Sequence, residues 1–270
     1  MEIMKNGSNQ STADLTESKK INLSLITRMM MPNLFIDIET APEFSKDEYF
    51  AVKKAIECGN LGRQSENKDL YWKFERGGLT PFEGKIILIT YKVNNGHVFR
   101  LKEWEIGEKD MLKKFYDLVV DLQKGTSDDR LRIIGHNILG FDLFFIYQRM
   151  RYHKIQDEKW LYQWIINKPE VLDFLQMHLP LNDYKTKGLK HDVLAYAYGF
   201  PIKSTLGSGE IPHYFQEDYE KIIGYSEREF IYPELYEKIR AGGLVSKEKL
   251  QESIKHYDNL SLNPSKDNFS

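Results

Sequence analysis

The chain has 270 residues, 41% of them hydrophobic and 13% aromatic, which excludes a disordered polypeptide and leaves room for one large core. A formal charge of -2 and a pI near 6.4 exclude a global basic footprint, so a polyanionic partner would be met by local patches or by bound metal. The single cysteine, Cys58, excludes an internal disulfide and suits a reducing compartment. No run of about 18 apolar residues and no signal-like N-terminus are present, so a soluble, cytoplasmic protein without a membrane partner is expected.

In chain order, residues 1–31 are polar and then mildly apolar and read as a flexible tail. The folded unit is expected over 32–257, followed by a polar, turn-rich tail at 258–270. Asn33 to Glu39 is β-branched and aromatic up to its acids, and Lys85 to Val93 reads as a second strand. Asn94-Asn95-Gly96 turns into a third strand near Val98 to Trp104, which makes an antiparallel meander. Segment 43–84 interrupts the first two strands as a charged, aromatic insertion.

Apolar residues at helical spacing (Met111, Phe115, Leu118, Val119, Leu122) predict a helix over 107–123. A buried strand at Leu131 to Gly135 then feeds a helix from Gly140 to Arg151. Further helices are expected at 157–167, 188–199, 216–240 with a break near Tyr225, and 246–256, with a short strand at Val171 to Phe174. The sum is an α/β protein, a mixed sheet flanked by helices.

Two segments carry chemistry. Asp37-Ile38-Glu39 ends an apolar strand, so both carboxylates project from one sheet face and share a small volume. Such a pair is relieved by a cation, and hard oxygen donors suit Mg2+ or Mn2+. In Gly135-His136-Asn137-Ile138-Leu139-Gly140-Phe141-Asp142 a buried strand leads through a small-residue turn to a helix whose first turn carries Asp142, where the helix dipole favours an anion. His136 reads as structural.

These segments resemble the DEDD, ribonuclease-H-like superfamily of 3′-to-5′ exonucleases, in the branch similar to the proofreading domains of family-B DNA polymerases. Phe35-Ile-Asp-Ile-Glu-Thr40 is similar to its first motif and Gly135 to Met150 to its second, and 79–91 also has the look of that branch. The resemblance covers about 33–240. It implies a ribonuclease-H-like fold and two divalent ions, Mg2+ or Mn2+, held by Asp37, Glu39 and Asp142. It further implies terminal-nucleotide contacts from Thr40, Asn137 and Phe141.

The third motif of that family is Tyr-x3-Asp. Here Tyr225-x3-Glu229 matches in context, with Tyr219 to Ile222 before it and Glu234 to Tyr236 after it, but glutamate replaces aspartate. Tyr225 and Glu229 are i and i+4, neighbours on one helix face. The resemblance makes Tyr225 the residue that orients the attacking water and Glu229 the fourth metal ligand. Glutamate's extra methylene would weaken activity or shift it toward Mn2+. His213-x4-Asp218 offers a competing alignment with the histidine subclass.

Lys185, Lys187, Lys190 and Lys203 with Tyr184 form a basic, aromatic stretch that would hold phosphates and stack a base, with Lys187 and Lys190 the named candidates; a solvated lysine face is its plainer reading. The function expected is metal-dependent phosphodiester hydrolysis from 3′ ends, with single-stranded DNA favoured over RNA. The alternatives are a weakened or silent nucleic-acid-binding module and a structure-guided endonuclease. Any proofreading would require a separate polymerase or repair partner.

Overall fold

The computed structural model describes residues 31–126, 128–201 and 210–262; for Glu210, Glu229 and residues 260–262 the backbone alone is described. Of the two expected tails, residues 1–30 and 263–270 lie outside the described residues.

A five-stranded mixed sheet organises the chain. β1 (Asn33–Pro42), β2 (Gly84–Val93) and β3 (Val98–Lys102) form the expected antiparallel meander, and β4 (Arg132–Gly135) and β5 (Glu170–Asp173) add to it in parallel, in the order β3-β2-β1-β4-β5. The helices in chain order are α1 (Lys46–Glu57), α2 (Lys68–Arg76), α3 (Glu103–Ile106), α4 (Glu108–Lys124), α5 (Asp142–Tyr152), α6 (Glu158–Leu161) and α7 (Phe174–His178). They continue with α8 (His191–Ala197), α9 (Glu210–Phe215), α10 (Tyr219–Glu229), α11 (Tyr232–Gly242) and α12 (Lys247–Leu262). This is an α/β fold of the ribonuclease-H-like kind.

Period two on β1 divides the interior. Leu34, Ile36 and Ile38 pack with Met111 and Phe115 of α4 and with Phe145 and Ile146 of α5, whereas Phe35 packs on the other face with Phe174, Tyr232 and Leu235. Asp37 and Glu39 alternate with Ile36 and Ile38, which puts them on the Phe35 face. A third cluster joins Ala41, Leu88 and Ile222 to Tyr49 and Val52 of α1.

Several boundaries differ from the sequence reading. Trp104 belongs to α3 rather than to β3, stacked on Tyr219 with ring centroids 4.5 Å apart. The helical stretch after Tyr219 breaks at Phe230 and Ile231 rather than at Tyr225. Pro233 explains the position, since its ring would collide with the carbonyl four residues back, which is that of Glu229. The last helix runs on through Leu262, so residues 258–262 are helical, not the expected tail. Segment 43–84 contains two helices, the first opened by a reciprocal capping box between Ser45 and Glu48. Among the described residues no helix is long and apolar enough to cross a membrane.

Candidate active site

β1 carries the first two acids into a distorted part of the sheet. Asp37 faces Thr90 and Glu39 faces Leu88 in register, but Thr40 pairs with Ile86, which leaves Ile87 as an extra residue in a bulge beside the carboxylates. Asp37 and Glu39 are half-buried. Thr40 donates its hydroxyl proton to the carbonyl of Gly78, tying the strand end to the insertion.

Asp142 reaches the same strand from α5. Its Oδ1 accepts the N–H of Ile38, between Asp37 and Glu39, at 3.1 Å, and the side chain is only 5% exposed. Burial, followed by the negative charge of Asp37, pushes the Asp142 carboxyl well above the usual carboxylate range, and the Ile38 bond opposes this. The sequence reading expected this acid near Asp37, and the structure places it against Ile38, between Asp37 and Glu39 in the strand.

The turn that delivers Asp142 is held by an acid the sequence reading missed. Asp173, at the end of β5, accepts the N–H groups of Asn137 (2.8 Å) and Leu175 (2.9 Å) through Oδ1 and that of Leu139 (3.0 Å) through Oδ2. Asn137 takes a left-handed backbone there, φ 57°. Gly135 is required by close approach: a Cβ would come within 2.5 Å of the Ile138 side chain and 2.8 Å of the Ile36 carbonyl. Phe141, half-buried, packs its ring 5.4 Å from that of Phe145.

From the other side come α10 and α11. Ser226 meets Thr90, the strand partner of Asp37, through a buried hydroxyl pair at 2.6 Å, and half-buried Tyr225 precedes it on α10. Glu229 ends α10, but its side chain lies outside the described residues. At the start of α11 the Tyr232 hydroxyl donates to Asp37 Oδ1 at 2.9 Å, a contact no local motif announces because 195 positions separate the partners. The Tyr232 ring lies edge-on to His191, 5.3 Å between centroids, and His191 lies edge-on to His136 at 5.8 Å. Burial, with His191 nearby, lowers His136 to about 3, so it is a neutral packing residue as the sequence suggests.

The remaining candidates fall elsewhere. Asp218 is taken up by Lys221 at 2.5 Å, with His213 3.7 Å away. Lys187 and Lys190 are exposed, and the Lys190 ammonium lies 4.9 Å from the Tyr257 ring centre; Lys203 lies outside the described residues. Two cavities of about 710 and 820 Å³ open beside Phe82 and Tyr152 and beside Asn33 and Glu237, and the three carboxylates line neither.

No family model and no curated protein matches this chain.

The donor chemistry of Asp37, Glu39 and Asp142 is all carboxylate oxygen, with two negative charges close enough to disfavour each other, and that fits a hard divalent cation. Among the described residues, no three or more His, Cys, Asp or Glu side chains form a ready group for a metal ion.

Proposed function

We propose that the chain is a metal-dependent 3′-to-5′ exonuclease that hydrolyses phosphodiester bonds, with single-stranded DNA as its preferred substrate. The observation that carries this reading is the Ile38–Asp142 hydrogen bond, which fixes a buried acid against the strand bearing Asp37 and Glu39. Carboxylates crowded in this way lower the stability of the fold unless something cationic meets them, and that is a common signature of a functional site. Asp37, Glu39 and Asp142 would hold Mg2+ or Mn2+, with Glu229 as a fourth ligand. Such ions lower the pKa of bound water and neutralise phosphate charge. Tyr225 would orient the attacking water. Thr40, Asn137 and Phe141 would line the terminal nucleotide, with the Thr40 hydroxyl already committed to Gly78. Lys187 and Lys190 would meet backbone phosphates farther along the strand.

The test is degradation of a 5′-labelled single-stranded DNA, beside an RNA of the same sequence, with Mg2+, Mn2+ or chelator. A ladder that shortens from the 3′ end only with metal, and is lost in Asp37→Ala, supports the exonuclease and ranks the two sugars. Internal cuts would favour the endonuclease. Strand binding without cleavage under either metal would favour the silent binding module, a reading motivated by glutamate at position 229 in place of aspartate.

A further inference from the structure

We infer that Tyr232 is a positioning residue for Asp37: its hydroxyl holds one carboxylate oxygen and so sets the orientation in which Asp37 would meet a metal ion. This rests on the proposed nuclease reading and deepens it. Tyr232 is 4% exposed and donates to Asp37 Oδ1 at 2.9 Å. Three rings restrain it, His191 (5.3 Å), Phe230 (5.5 Å) and Phe174 (6.1 Å between centroids), and Pro233 follows it in the first turn of α11, so both backbone and ring are preset. A half-buried aspartate beside a second acid has two oxygens and several rotamers to choose from. A donor that is itself locked by packing selects one of them, the arrangement by which groups behind metal ligands tune affinity. Helix α11 therefore reaches the site directly, next to the position where aspartate gives way to Glu229.

The measurement is Mn2+ binding to the full-length protein by calorimetry without nucleic acid, followed by cleavage of the labelled oligonucleotide, for the wild type, Tyr232→Phe and Tyr198→Phe. Tyr232→Phe keeps the ring and its packing, so near-native stability is expected. Its Mn2+ dissociation constant is expected to rise about tenfold, the lower end for loss of such a partner. Its kcat should fall while KM for the oligonucleotide holds. Tyr198→Phe removes another buried phenol of the same apolar cluster, one bonded to His178 instead of Asp37; it should lose stability and leave Mn2+ affinity unchanged. Wild-type metal affinity and kcat in Tyr232→Phe, with the wild type active, would overturn the role of Tyr232 and leave the nuclease reading standing. A wild type that neither binds Mn2+ nor cleaves would remove the nuclease reading and this inference together.

Discussion

Asp142 holds opposing demands in one side chain. Its carboxyl is raised by burial and by Asp37, so its favourable contribution to stability is full below the ordinary aspartate pKa and is lost as pH rises through the elevated folded value. Near neutral pH without metal, the ionised form is therefore a cost. Asp142→Asn, which can still accept from the Ile38 N–H, is expected to stabilise the metal-free protein by on the order of 1 kcal/mol while abolishing cleavage. Denaturant unfolding in chelator checks the first effect and the oligonucleotide assay the second; an unchanged or lowered midpoint would contradict it. The acids themselves were readable in the sequence, because a two-residue spacing at a strand end and a helix-start aspartate are local patterns. Tyr232 was not, since its partner is distant in the chain, and Asp173 shows locally only as the cap of α7 through the Leu175 N–H, its hold on Asn137 and Leu139 being long-range.

At the scale of elements, the β4–α5 connection leaves no room for an added side-chain atom at Gly135. Gly135→Ala would drive a methyl group into Ile138 and the Ile36 carbonyl, and a cost of about 1–3 kcal/mol is expected from overpacking, measured by chemical denaturation. Because β4 leads to Asp142, the same substitution should lower cleavage more than stability alone explains. Most strands and long helices could be read from periodicity. The insertion could not, although Ser45 and Glu48 carry a helix-start signal that the sequence reading passed over. The break before α11 falls later than the expected Tyr225 because Pro233 decides it through the carbonyl of Glu229.

Across the whole molecule, one buried ionic network fastens parts that are far apart in sequence. Arg149, 1% exposed, donates to both oxygens of Glu108 (2.9 and 2.6 Å), to Glu43 (3.1 Å) and to the Pro81 carbonyl (3.3 Å), and Glu108 also accepts from the Ile86 N–H and from His153. The insertion is thereby joined to α4, α5 and β2. Arg149→Met would strand Glu108, and a loss of about 3–5 kcal/mol is expected at neutral pH. Burial alone would raise Glu108, but the bonds from His153, Arg149 and Ile86 outweigh it and hold the carboxyl below the usual glutamate range. Its stabilisation is thus present above the unfolded pKa and lost as pH falls through the depressed value, so Glu108→Gln should flatten the stability curve on the acid side, as read by unfolding at a series of pH values. The Asp142–Ile38 bond has a different consequence. It closes 104 positions of chain, and the Tyr232–Asp37 bond closes 195. Contacts of such range form only after the intervening loop entropy has been overcome. During refolding, helical signal should therefore recover before the capacity to bind Mn2+, and on a ribosome the site would stay incomplete until Tyr232 had emerged.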